Sequence, residues 1–248
     1  MQIEWDEITK QNAFYGVLSF PKFERPDAVD QEAFWLTGRD QADDFIGRAG
    51  FKDTSHLEMV EIGCGLGRMT HRFAQRFRKV YAVDISPEML NRARLHWTAL
   101  SNVKFILGRG NDLPGISDAS IDFVFSFQVL QHIIDPGVIK SYIRETARVL
   151  KSGALAMLQF RTSPSDFSFV TRFWSAAKHP RHIFRRIKKF FQPASSSLQD
   201  QFRIRYKSWR GCSLNVQDIE LLSRSVGLKI EAATGIGTQY TYYSFRKV

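Results

Sequence analysis

Cysteine is nearly absent from this chain. Cys64 and Cys212 alone occur in 248 residues, too few for a disulfide framework, so a reducing cytoplasm is the expected setting. No uncharged apolar run reaches the roughly 18 residues that suggest a membrane-spanning helix. The opening stretch Met1 to Glu7 has neither the basic start nor the apolar middle of a secretory signal. Internal repeats are missing, and Ala194-Ser-Ser-Ser197 is the one low-complexity patch. A metal is not expected either: His179 and His182 form an i, i+3 pair, but no carboxylate or cysteine cluster accompanies them. What is present is a 44% hydrophobic composition, enough for one large core with an insertion. The net charge of +10 is concentrated in residues 172–210, where eleven basic residues meet a single acid, Asp200.

The most informative stretch runs from Leu57 to Thr70. Leu57-Glu58-Met59-Val60-Glu61-Ile62 is a short apolar run that breaks at Gly63, Gly65 and Gly67 and resumes with helical spacing, which predicts strand, tight turn and helix. Glycines there let the backbone turn sharply and approach a ligand, and a helix starting near Gly67 would aim its first N–H groups at that ligand. The dinucleotide fingerprint needs its third glycine five residues after the first; here it comes after four and Arg68 holds the fifth place, which disfavours a nicotinamide dehydrogenase. The next strand, Lys79 to Val83, ends in Asp84, an acid able to take both hydroxyls of a ribose, and Ser86-Pro87 opens the following helix.

Glycine loop and acid together resemble the class I S-adenosylmethionine-dependent methyltransferases. Glu61-Ile-Gly63-Cys-Gly65-Leu-Gly67 matches their first motif, and Ala82-Val83-Asp84-Ile85-Ser86-Pro87-Glu88-Met89-Leu90 their second. The resemblance implies S-adenosyl-L-methionine as cofactor, held by Glu61, Gly63, Cys64, Gly65, Gly67 and Asp84, with Ile85 and Met89 against adenine. One position departs from the pattern. The family commonly follows its third strand with an acid for the adenine amino group, and Arg109 stands there instead. Either the backbone of Arg109 and Gly110 serves adenine, or Asn111 or Asp112 reaches back.

Further strands are expected at Val103 to Leu107, Ile121 to Ser126 and Ala154 to Phe160, alternating with helices, the fourth announced by Asp135-Pro136 and ended by Gly153. Asn215 caps a last helix stopped by Gly227, and Leu228 to Ala232 with Thr238 to Phe245 supply a closing antiparallel pair. The fold class is therefore α/β: a doubly wound, mainly parallel seven-stranded sheet with a C-terminal antiparallel hairpin. Residues 1–50 read as an N-terminal helical cover broken at Gly38, residues 51–162 and 211–248 as the Rossmann-like domain, and 163–210 as a basic amphipathic insertion. Ligands gather at the C-terminal edge of such a sheet, where Gln128 joins Gly63, Asp84 and Asp112.

Methyl transfer from a sulfonium is an in-line displacement in which the protein aligns the partners and supplies a base where one is needed. His132, four residues after Gln128, is the candidate base; it serves equally well as a group that structures the helix entry. Within the insertion, Ile183, Ile187, Phe190 and Phe191 share a helical face flanked by Arg185, Arg186, Lys188 and Lys189. That pattern over residues 180–191 fits a lid over the active site, a peripheral contact with an anionic membrane surface, or a polyanion contact. The leading reading is methyl transfer to a small-molecule, sugar or lipid-linked acceptor. The alternatives are an RNA methyltransferase and a non-catalytic cofactor- or partner-binding module; Ser126-Phe127-Gln128 lacks the Asn-Pro-Pro-aromatic turn associated with base-amino methylation.

Overall fold

The computed structural model describes residues 1–162 and 197–248. The amphipathic stretch 180–191, and with it the lid, membrane and polyanion readings, lies outside the described residues. Seven strands form one sheet in the order β3-β2-β1-β4-β5-β7-β6. The parallel members are β1 (Glu58–Ile62), β2 (Lys79–Asp84), β3 (Val103–Leu107), β4 (Ile121–Ser126) and β5 (Leu150–Phe160). Strand β7 (Thr241–Lys247) runs antiparallel to both β5 and β6 (Leu228–Thr234), completing the expected hairpin.

Burial on both faces explains the composition of the central strands. Met59, Val80, Phe123 and Phe125 pack beneath α2 (Gln31–Arg48) and α3 (Thr70–Arg76), joined by Phe45, Ile46, Phe73 and Phe77. On the opposite face Val60, Ile62, Val83 and Val124 meet Ile139, Ile143 and Ala147 of α5 (Pro136–Val149) and Ile219 of the last helix, Val216–Ser225. Helix α4 (Pro87–His96) is capped as expected, the Ser86 hydroxyl accepting the Met89 N–H at 3.1 Å. Before the last helix, α6 (Ser197–Arg205) and α7 (Lys207–Arg210) close the stretch that follows the undescribed residues; Val216–Ser225 is α8.

The N-terminal cover is α1 (Gln2–Val17), two short 3₁₀ turns and α2. Helix α1 is kinked at Asn12, whose side-chain nitrogen donates to Phe23 O and Glu24 O while its oxygen accepts the Tyr15 N–H. The break expected at Gly38 does not occur, because α2 runs unbroken through it. A Cβ at Gly38 would lie 1.9 Å from Arg68 O, so this glycine serves the close approach of α2 to the glycine loop. Helix α5 ends at Val149, next to the expected Leu150, but β5 starts earlier than the expected Ala154. Strand β5 already begins at Leu150, and Gly153, with φ +76°, sits where the β4–β5 register jumps from Ile121 opposite Leu150 to Phe123 opposite Leu155. Thr238 to Tyr240 belong to the hairpin turn rather than to β7, the Thr238 hydroxyl donating to Gly235 O at 2.6 Å and accepting the Tyr240 N–H at 3.0 Å.

Two glycines of α2 should respond oppositely to alanine. Gly47→Ala meets no atom within 4 Å and should stabilise the protein by about 0.5–1 kcal/mol. Gly38→Ala should cost more than about 2 kcal/mol, since backbone and not a flexible side chain is in the way. Urea unfolding of both variants measures the difference, and equal effects would mean that α2 slides freely over the loop.

Candidate active site

The loop after β1 turns as its glycines require. Gly63, Gly65 and Gly67 have φ of +79°, +53° and +79°, and a Cβ at Gly63 would fall 2.1 Å from the Val129 side chain. Helix α3 starts at Thr70, three residues later than the sequence suggested, with Gly67 N–H bonded back to Cys64 O. The N–H groups of Gly63 and Cys64 donate to Val83 O at 2.7 and 3.1 Å, and that of Gly65 to Asp84 Oδ2 at 2.7 Å. Asp84 Oδ1 accepts the Ser86 N–H at 2.9 Å. Burial pushes this carboxyl up from its usual value, against the pull of these N–H donors.

A cavity opens at this edge of the sheet. Of the residues expected to bind cofactor, Glu61, Gly63, Cys64, Gly65, Asp84, Ile85, Met89 and Gln128 line it. Gln128 is held at φ +58°, its N–H donating to the buried Gln159 side chain at 2.8 Å. Gly67 stands behind the wall, against Trp97, whose Nε1 donates to Leu66 O at 3.1 Å. Asn111 and Asp112 are not brought to the cavity. Asp112 accepts the Arg109 N–H at 3.2 Å and pairs with the exposed Arg109 guanidinium at 3.6 Å, closing its own loop instead of reaching back.

His132 is also outside the lining. A 3₁₀ turn, Leu130–His132, carries its ring between Trp5 and Trp209, with centroids 5.5 and 5.7 Å away. Its Nε2 lies 3.1 Å from the Gln131 amide nitrogen, while Gln131 Oε1 accepts from Gln159 Nε2 at 2.8 Å. An amide nitrogen donates only, so Nε2 accepts and the ring is neutral with its proton on Nδ1. Burial, reinforced by Arg161, lowers the ring to about 4. A base that weak, with its lone pair engaged, is poorly suited to proton abstraction near neutral pH.

The sequence reading missed part of the lining. Trp5, Gly16 and Val17 of α1 roof the cavity, Phe125, Phe127, Val129 and Ile133 form an apolar wall, and Tyr142 of α5 borders it. Burial raises the Tyr142 phenol, and Asp84 and Asp112 add to the rise. Arg68 carries the one cationic side chain among the described lining residues, and its place inside the glycine motif was the available signal.

Residues 60–158 match the model of a methyltransferase domain. These residues form a methyltransferase domain, and the sheet around them has the class I methyltransferase fold. The methyltransferase is 27% identical over 170 residues to the ubiquinone biosynthesis O-methyltransferase of Xanthomonas oryzae, covering 64% of this chain and 70% of that one. It is 25% identical over 168 residues to the protein of that name from Xylella fastidiosa, covering 63% and 67%. In fold it is similar to a solved protein of Pyrococcus horikoshii, with TM-score 0.56 and 20% identity over 86% of this chain and 91% of that one. It is likewise similar to magnesium protoporphyrin IX methyltransferase of Synechocystis with bound S-adenosylhomocysteine, with TM-score 0.53 and 18% identity over 88% and 87%. S-adenosylmethionine is the methyltransferase's cofactor, and the cavity's chemistry fits it: a strand-end acid for a diol, apolar Ile85 and Met89 for a flat ring, and the polar side chains of Glu61 and Arg68 for a zwitterionic end.

Glu61 is the buried exception in β1. Thr70 Oγ1 donates to its Oε2 at 2.6 Å, yet burial prevails and raises the carboxyl to about 8. The folded protein therefore holds a proton that the unfolded chain releases between about pH 4.5 and 8, so stability is highest below that window and declines as pH rises through it. Glu61→Gln keeps an acceptor for Thr70 and should remove this decline, which amounts to a few kcal/mol at most, at about 1.4 kcal/mol for each tenfold difference in proton affinity between folded and unfolded chain. Urea unfolding at pH 5 and pH 8 tests it. An undiminished decline in the variant would place the titration elsewhere.

Proposed function

We propose that the methyltransferase acts on an oxygen of a small, largely apolar acceptor. The observation that supports this most is the apolar wall of Phe125, Phe127, Val129 and Ile133, with Trp5 above it, beside the glycine loop. Such a wall suits a flat or aliphatic molecule, whereas a nucleic-acid acceptor would need several cationic side chains for its phosphates, and Arg68 has the only one among the described lining residues. The names of the relatives point the same way, toward an O-methylated small molecule.

The bound cofactor supplies a methyl group already activated by a positively charged sulfur. The protein's share is alignment and the exclusion of water. Asp84 would accept the ribose hydroxyls, Ile85 and Met89 would cover the adenine, and Gln128, fixed at positive φ by Gln159, would border the place where the acceptor enters. His132 acts in this reading as a positioning residue: through Gln131 and Gln159 it steadies the Gln128 turn. Proton removal then falls to solvent or to the acceptor's own acidity.

Asp84→Ala should weaken binding of S-adenosylhomocysteine by about 1.5–3 kcal/mol through loss of charge-assisted hydrogen bonds. Titration calorimetry reads this directly, and unchanged affinity would remove Asp84 from the site. Labelled methyl groups should then appear in an organic-soluble small-molecule fraction and not in RNA; label confined to RNA would defeat the acceptor assignment.

Replacing His132 by Gln should lower kcat by less than about tenfold and leave the pH–rate profile without an inflection in the usual histidine range near 6.5. An inflection there in the wild type, abolished together with a loss of about 10²–10⁴-fold in kcat, would restore His132 as the base.

A further inference from the structure

Two arginines without acids stand past the apolar wall, on the side away from the glycine loop. Arg161 is the first residue beyond β5, and β5 lies two strands from β1 through β4, with Ile62 level with Ser126 and Ser126 with Leu158. Two inter-strand spacings of roughly 4.8 Å put the end of β5 about 10 Å along the sheet edge from the end of β1. The second is Arg203, an exposed residue of α6 whose charge works against that of Arg161. His132 feels Arg161 as well, and burial with this charge beside it keeps the ring neutral. Neither arginine forms an ion pair among the described residues, although Arg205, two positions beyond Arg203, meets Glu7 at 3.6 Å. Arg161 is half-buried; its Nη2 donates to Gln239 Oε1 at 3.3 Å, a neutral partner, and its Nε is buried with no partner among the described residues. Tyr240 and Cys212, the groups whose ionisation would offset its charge, are held neutral by burial. In sequence, residues 163–196 add one acid, Asp166, against seven lysines and arginines.

We propose that Arg161 and Arg203 form a binding site for a phosphate-type group, which the acceptor carries at the end away from its methylated oxygen. Two guanidinium groups brought near each other with no acid between them are balanced by a dianion, whereas a carboxylate leaves one charge over. The bond to Gln239 fixes Arg161 in place, and its unmatched Nε marks the set of donors as incomplete. The order along the sheet edge gives the acceptor its shape. Glycine loop, apolar wall and arginines follow one another over β1, β4 and β5, so the acceptor has an apolar body about 10 Å long between the methylated oxygen and the acidic end. Two arginines suffice for one phosphate and are too few for a strand of them. The inference rests on the apolar-acceptor reading and gives that acceptor its charged end.

The test titrates protein saturated with S-adenosylhomocysteine, by calorimetry at pH 8 and low salt, with inorganic phosphate, phenyl phosphate and benzoate. Phenyl phosphate should bind at least about fivefold more tightly than either of the others, since it alone offers both an apolar ring and a double charge. Arg161→Gln and Arg203→Gln should each weaken phenyl phosphate by about 5- to 20-fold, and Arg161→Lys should recover part of the loss. Lys229→Gln, which removes an exposed charge from β6, should leave it within about twofold. Arg203 is exposed, so its variant is read even where a change at Arg161 disturbs the fold, and unchanged affinity for S-adenosylhomocysteine shows that each variant is folded. Equal weakening by all three charge removals would be an effect of net charge and overturn the site. Benzoate binding as tightly as phenyl phosphate would overturn the dianion. An advantage of phenyl over inorganic phosphate that survives both arginine changes and falls in Phe127→Ala would overturn the anion site while keeping the apolar-acceptor reading. No such advantage in the wild type would count against that reading and against the site that rests on it. Salt-steep binding of an RNA oligonucleotide, lost in both arginine variants, would give the pair to nucleic acid and overturn the proposal.

Discussion

The carboxylate of Asp84 holds the cleft together. One oxygen takes the Gly65 N–H from the loop after β1 and the other the Ser86 N–H from the loop after β2, so two strand ends are joined by one side chain. Ser86 in turn donates its hydroxyl to Asp6 of α1 at 2.5 Å while capping α4. Roof, floor and helix entry thus share a single polar junction, set above an apolar interior. Its cost is visible in the raised Asp84 carboxyl, because burial outweighs the donors that stabilise the charge.

How much of this was legible in the sequence depends on whether a residue's role is local. The three glycines were readable because a sharp turn demands positive φ, and Asp84 because an acid ending an apolar strand has few other uses. The sheet was equally legible from alternating strand and helix signals, up to boundaries that moved by a few residues at Leu150 and Thr241. Gly38 was misread, since a helix breaker and a glycine under a close crossing look the same in one dimension, and only the distance to Arg68 O separates them.

The site's long-range members were not legible for the same reason. His132 stands at the right distance from a strand end, but a 3₁₀ turn rotates it toward Trp5 and Trp209, partners 127 and 77 residues away. Asp112 turns toward Arg109, so the departure from the family pattern at 109 is absorbed within one loop. The apolar wall needed Trp5 and Val17 of α1 to meet Phe125 and Phe127 of the β4 end, which no local periodicity announces.

Helix α1 and the segment 197–210 are far apart in the chain and lie outside the matched domain, yet they are fastened to each other. Glu4 accepts the N–H groups of Lys207 and Ser208, Gln11 donates to Tyr206 Oη at 2.8 Å, and Tyr15 stacks on Trp209. Substitutions at positions that share hydrogen bonds and ring contacts in this way are not additive in energy, because a change on one side leaves a buried or capped group unmatched on the other. The two segments therefore form a single energetic unit. A graft of α1 from a relative into this chain would carry its roof into the wrong joint unless residues 202–209 came with it, and a chimera that exchanges both together is the one that keeps the cleft closed.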